Sequence, residues 1–138
     1  MRIAIVKLSA LGDIVHAMIV LQFIKNYNQE ISIDWFVDSV YKDLLECNPD
    51  INKVYTLNIK EAKHKNSWLS ILKILKETRK VESYDLVIDL QGLIKSAVIS
   101  RLIPSKKTLG FDKFSAREKL ASIFYNQKFK ISYDMNVI

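Results

Sequence analysis

The sequence predicts an α/β fold, a Rossmann-like parallel sheet with helices on both faces. Three observations lead there. Five short strand-like runs alternate with helical patterns. The links between them are short, as in crossover units. The chain's three glycines, Gly12, Gly92 and Gly110, each fall at or just beyond the C-terminal end of a predicted strand, the edge at which open α/β sheets take their ligands. A chain of 138 residues, 49% hydrophobic and 26% charged, suits one folded domain with one core.

Arg2 to Lys7 is a nearly continuous apolar run, typical of a parallel strand buried on both faces. Leu8 to Gly12 reads as a loop. Asp13 then caps a helix that reaches about Tyr27. Ile31 to Val37 is the second strand. Ser39 to Glu46 is a short helix ended by Asn48-Pro49, and Lys53 to Leu57 is the third strand. Asn58 to Asn66 reads as a polar, basic loop. Ser67 opens a helix to about Glu82, with Trp68, Leu69, Leu72 and Leu75 on one face. Tyr84 to Asp89 is the fourth strand, Gln91-Gly92 the turn, and Leu93 to Leu102 a helix stopped by Pro104. Lys107 to Gly110 is a short fifth strand. Ser115-Ala-Arg-Glu118 has the form of a capping box, opening a helix that buries Ala116, Leu120, Ile123 and Phe124. Signals after Asn126 are weak.

The single cysteine, Cys47, has no partner within the chain, which fits a reducing compartment, and it reads as a buried or half-buried thiol. No run approaches the ~18 apolar residues of a spanning helix. Lys7 and Asp13 interrupt the N-terminal apolar run too soon for a signal peptide. A cytoplasmic protein is expected.

The net charge is +6, and it is uneven. Residues 58–80 hold seven Lys/Arg against two Glu, and residues 104–130 hold seven against two acids. Two basic segments point to an anionic partner: nucleic acid, a membrane surface, or a phosphorylated or carboxylated substrate.

The scarcity of glycine removes several chemistries. The chain has no G-x-G-x-x-G fingerprint, no P-loop and no H-E-x-x-H, and Cys47 lacks companions for a zinc site. His16 and His64 are the only histidines. His16 lies three residues after Asp13 and reads as a satisfied helix histidine. Asp13, just past the first glycine, sits where a carboxylate can act as general base toward a substrate hydroxyl, or simply cap its helix.

Three motifs narrow the choice. Lys7-Leu8-Ser9-Ala10-Leu11-Gly12-Asp13-Ile14-Val15-His16 resembles the N-terminal signature of the ADP-heptose:lipopolysaccharide heptosyltransferases, glycosyltransferase family 9. Val87-Ile88-Asp89-Leu90-Gln91-Gly92-Leu93-Ile94-Lys95-Ser96-Ala97 resembles their second signature. Ala116 to Asn126 resembles a third, found in the type I branch. The resemblance covers nearly the whole chain.

It implies a GT-B enzyme of two Rossmann-like domains, of which residues 1–138 would be the N-terminal, acceptor-binding one. The C-terminal, nucleotide-sugar-binding domain would be absent from this chain. It further implies inverting transfer of L-glycero-D-manno-heptose from ADP-heptose to the first Kdo of Kdo2-lipid A. No cofactor and no essential metal are implied, and the partners would include the cytosolic face of the inner membrane and no nucleic acid. Asp13 would take the proton of the Kdo hydroxyl. Lys7 would hold acceptor charge or steady the carboxylate, with Ser9 and Gly12 beside it. Lys60, Lys63 and Lys65 would meet lipid A phosphates, as point charges rather than the forks of a more arginine-rich loop. Gln91 and Lys95 would line the same edge, Arg117 would bind a Kdo carboxylate, and Glu118 would complete the capping box.

Two rivals stay open. A type II enzyme, whose acceptor already carries a heptose, shares the first two motifs. A non-catalytic basic α/β module explains the charge but leaves Gly12-Asp13 and Gln91-Gly92 without a role.

Overall fold

The computed structural model describes residues 1–111 and 118–129. Its strands are β1 (Arg2–Val6), β2 (Ser32–Asp38), β3 (Lys53–Leu57), β4 (Tyr84–Asp89), β5 (Ser105–Phe111) and β6 (Gln127–Phe129). Its α-helices are α1 (Leu11–Ala17), α2 (Ile19–Tyr27), α3 (Lys42–Glu46), α4 (Ile59–His64), α5 (Trp68–Thr78) and α6 (Ile94–Leu102). Short 3-10 turns cover Ser39–Tyr41 and Lys119–Phe124. The strands form one sheet in the order β3-β2-β1-β4-β5-β6, and every pairing is parallel.

β1 is apolar from Ile3 to Val6 because both of its faces are covered there. Ile3 and Ile5 pack on one side with Ile14, Leu21, Ile33, Trp35 and Leu45, under α1 to α3. Ala4 and Val6 pack on the other with Phe36, Leu57, Val87, Ile99 and Ile103. The single expected core is thus two cores, one on each face.

The helix expected from Asp13 begins earlier. Ala10 is the N-cap, with no side-chain cap, and Asp13 lies inside the first turn. A tightened turn at Met18, whose N–H reaches the carbonyls of both Ile14 and Val15, separates α1 from α2. Asn58 to Asn66 is not a loop. α4 forms there because Asp38, at the end of β2, accepts the N–H of Lys60, while Ala62 is buried beneath the helix.

α5 keeps its predicted start, with the Ser67 hydroxyl accepting the N–H of Ser70. Its apolar face does not turn inward. Ile59 and Ile74 pack over the core on this side and Thr78 is buried, so Trp68, Leu69, Ile71 and Leu72 face solvent.

Near the end, β6 was not expected. Leu120 and Ile123 are exposed while Ala121 and Ser122 are buried, because the segment is a 3-10 turn and not an α-helix with a 3.6-residue stripe. Ser115 and Ala116 lie outside the described residues. Glu118 is no third helical residue: it stands at the N-cap of the 3-10 turn, and its carboxylate accepts the N–H of Ile94 at the start of α6. Cys47, expected at least half-buried, is exposed, because it falls at the C-cap of the short α3 with Leu45 as the inward residue.

Candidate functional site

The chain leaves β1 toward one face of the sheet and β4 toward the other, and these two strands are neighbours. The sheet's topological switch point therefore lies between their C-terminal ends, where α/β folds open a crevice. Lys7 to Asp13 comes to it from β1, and Asp89 to Lys95 from β4.

Gln91 joins the two segments. It is buried, and its side-chain carbonyl accepts the N–H of Leu8 at 2.8 Å and of Ser9 at 3.1 Å. Those are loop donors with no strand to pair them, so the amide supplies what the sheet no longer can. The Leu8 carbonyl in turn accepts from Asp38 N–H, and the Ser9–Ala10 peptide is cis. The course of the chain into α1 and Asp13 is thus fixed by a side chain 83 residues away.

Gln91 is itself held by Asp89. One carboxylate oxygen accepts the N–H groups of Gln91 at 2.8 Å and Gly92 at 3.3 Å. The other accepts from the Ser96 hydroxyl at 2.9 Å and from the Tyr125 hydroxyl. Gly92 needs its missing side chain here, with φ at 73°. Asp89 is fully buried. Burial pushes its carboxyl above the ordinary carboxylate range, and the hydrogen bonds from Tyr125, Gln91, Ser96 and Gly92 pull it only part of the way back. Burial first, and then the neighbouring Asp89 charge, raise the Tyr125 phenol. Tyr125 reaches Asp89 across Gly110, where a methyl group would stand 2.3 Å from its ring. Gly110 is therefore a close-approach glycine inside β5.

This network went unread in the sequence, where Asp89 was only part of a motif. The available signal was the acid two residues before a buried Gln and three before a Gly, the pattern of a side chain closing its own turn.

Asp13 is half-buried, in the first turn of α1. Gly12 beside it is exposed, and nothing lies within 4 Å of where a side chain would begin. The fold itself does not require glycine there, so space remains beside Asp13. Lys7 is buried and Ser9 half-buried.

The three lysines of α4 and its C-cap part company. Lys60 lies over the Tyr41 ring and donates to its hydroxyl at 2.6 Å. That bond, more than any nearby charge, raises its pKa. Lys65 pairs with Glu61 at 2.8 Å. Lys63 instead lines a groove of about 360 Å³ between α4, α5 and α6, and Lys95 lines the same groove. Its walls include Ile59, Ile71, Leu75 and Val98. Arg117 lies outside the described residues. No cluster of three or more His, Cys, Asp or Glu capable of holding a metal occurs among the described residues.

Residues 71–138 match the model of glycosyltransferase family 9 (heptosyltransferase). Lipopolysaccharide heptosyltransferase 1 of Campylobacter coli is 49% identical over 99% of this chain and 38% of its own length. The E. coli K12 protein of the same name is 32% identical over 100% of this chain and 44% of its own. Over residues 71–138 the chain is similar to glycosyltransferase family 9, and over nearly its whole length to lipopolysaccharide heptosyltransferase 1. In three dimensions it is similar to E. coli heptosyltransferase WaaC with ADP-2-deoxy-2-fluoro heptose, at 33% identity and a TM-score of 0.86, over 96% of this chain and 43% of that one. E. coli ADP-heptose lps heptosyltransferase II, at 18% identity and a TM-score of 0.73, shares the fold. The chain spans roughly two fifths of the length of the curated heptosyltransferase relatives it matches.

Proposed function

We propose that this chain is the N-terminal, acceptor-binding domain of an inverting lipopolysaccharide heptosyltransferase of type I. In this reading a second domain binds ADP-heptose. The crevice between β1 and β4 receives Kdo2-lipid A at the cytosolic face of the inner membrane. The observation that carries the reading is the clamped first motif: Gln91 fixes the Leu8-Ser9 backbone, and Asp13 follows beside the open space at Gly12.

Asp13 takes the proton from the attacking Kdo hydroxyl as that oxygen reaches the anomeric carbon of heptose and the bond to ADP breaks. A base so placed must meet the hydroxyl at hydrogen-bond distance, and Gly12 leaves room for it. Lys7, buried beneath the loop, steadies charge there; Ser9 lines the crevice. Gln91 acts through the backbone it holds. Lys60, Lys63, Lys65 and Lys95 meet acceptor phosphates, Lys63 and Lys95 from a shared groove. Arg117 takes a Kdo carboxylate, a task suited to a two-pronged guanidinium.

The deciding experiment is Asp13→Asn in a polypeptide that also carries the donor domain. The amide keeps size and loses basicity, so turnover is expected to fall at least ~10²-fold, the lower end for general-base catalysis. Near-normal turnover in a folded variant would remove Asp13 from the mechanism.

A further inference from the structure

The broad apolar side of α5 has no partner among the described residues. Trp68 is 77% exposed, Leu69 79%, Leu72 51% and Ile71 46%. At about 3.6 residues per turn Trp68, Leu69, Leu72 and Leu75 share one arc, turned away from half-buried Ile74 and buried Thr78, with Ile71 at the margin between the two sides. Single exposed leucines are ordinary, but a contiguous patch of this kind marks a contact surface.

The rim of the patch is cationic. Lys76 and Arg79 stand on the arc, and both line a shallow groove with Leu69, Leu72 and Leu75. Lys73 lies at its edge, and Lys63 and Lys95 face it across the neighbouring groove. None of these five is in an ion pair among the described residues, whereas Lys65 is. The one carboxylate of α5, Glu77, lies on the helix's other edge, in a pocket with Glu61 and Thr56. The other exposed apolar stripe, Leu11, Val15, Ile19 and Phe23, has no such rim: Lys25 is spent on the carbonyls of Gln29 and Ile31.

An apolar arc with a tryptophan at one end and lysines and arginine around it fits the boundary between headgroups and acyl chains of an anionic bilayer. A protein partner would be expected to meet fewer lysines, which interfaces deplete. We propose that the outer face of α5 docks on an anionic phospholipid bilayer. Trp68, Leu69, Leu72 and Leu75 enter the boundary layer, and Lys63, Lys73, Lys76, Arg79 and Lys95 face lipid phosphates. The inference rests on the lipid-acceptor reading given above and names the surface that would bring the chain to such an acceptor.

Vesicles free of lipid A test it with the 138-residue chain. Trp35 is fully buried, with its indole N–H bonded to the Lys7 carbonyl, so of the two tryptophans only Trp68 can report contact. With vesicles containing phosphatidylglycerol, emission is expected to shift to the blue and to be quenched by brominated acyl chains. Lys76→Glu and Arg79→Glu should each weaken binding about fivefold or more, the worth of one basic residue at an anionic surface. Leu72→Asp with Leu75→Asp should weaken it at least about tenfold, since the apolar term goes. That double variant should keep its circular dichroism and its affinity for a water-soluble Kdo phosphate analogue. Absence of binding at low salt, or binding indifferent to these changes, overturns the proposal. So does a dimer in sedimentation that the double variant dissociates, which would give the face to a second copy. Failure with the soluble analogue would strike the acceptor reading instead.

Discussion

At the scale of single residues, what counts is which groups receive the N–H donors at the crevice. Asp89 takes four donors on two oxygens, and Gln91 takes two more on one. The motifs were legible in the sequence, but these roles were not, because the partners of Leu8 and Ser9 lie 83 and 82 residues away. Asp34 shows the same point at the other end of the sheet: it is buried and accepts from Tyr84, Asn52 and Arg2, yet nothing local marks it. The raised pKa of Asp89 has a measurable consequence. A carboxyl whose pKa is raised by folding holds its proton more tightly in the folded chain. Its share of stability is then fully present below the unfolded value of about 3.9 and is lost as pH rises through the folded value. Asp89→Asn does not titrate. The stability of the native chain relative to this variant, from urea unfolding at a series of pH values, is therefore expected to decline as pH rises from about 4 toward neutrality. A relative stability that grows with pH would mean that the four hydrogen bonds outweigh burial.

At the scale of elements, the strands were readable because two-sided burial leaves an apolar run and no alternative. β1 to β4 fall within a residue or two of their expected bounds. The helices were harder. α4 has one buried residue, Ala62, so its sequence carries almost no stripe, and it forms because Asp38 and Tyr41 hold its first turn. α5 has a strong stripe, but on the side away from the core. Periodicity reports that a face is apolar and is silent on what covers it. β6 was missed because three residues, Gln127–Phe129, are paired by their neighbour β5 and not by their own pattern. The contact between β5 and the segment before β6 is open to test at Gly110. Alanine there would drive a methyl group into the Tyr125 ring, and Tyr125 is tied to Asp89. Gly110→Ala is expected to cost about 1–3 kcal/mol, the usual penalty of overpacking. In a Tyr125→Ala background the same change should cost much less, because the clash is gone. Thermal unfolding of the four proteins measures that coupling, and equal losses in both backgrounds would place the strain elsewhere.

At the scale of the whole molecule, the class of fold followed from the alternation of elements, and right-handed crossovers then left few arrangements. What periodicity did not supply is the strand order, which makes β1 and β4 neighbours and so places the first two motifs at one switch point. That arrangement is complete within the 138 residues: both sheet faces have their own core, and each of the first two motifs is held by hydrogen bonds from the other or from its own turn. In the reading proposed here, an acceptor site at that switch point forms within this chain. A donor site, in the same reading, needs a second domain. The chain alone is therefore expected to unfold cooperatively, to bind a soluble Kdo phosphate analogue weakly, and to show no heat with ADP-heptose in calorimetric titration. In the proposed reading the acceptor contacts are largely lysine to phosphate or carboxylate, so its affinity should fall as salt is raised. Tight binding of ADP-heptose by this chain would move the donor site onto the β1–β4 crevice, and Asp13 would then face the nucleotide sugar instead of the hydroxyl that attacks it.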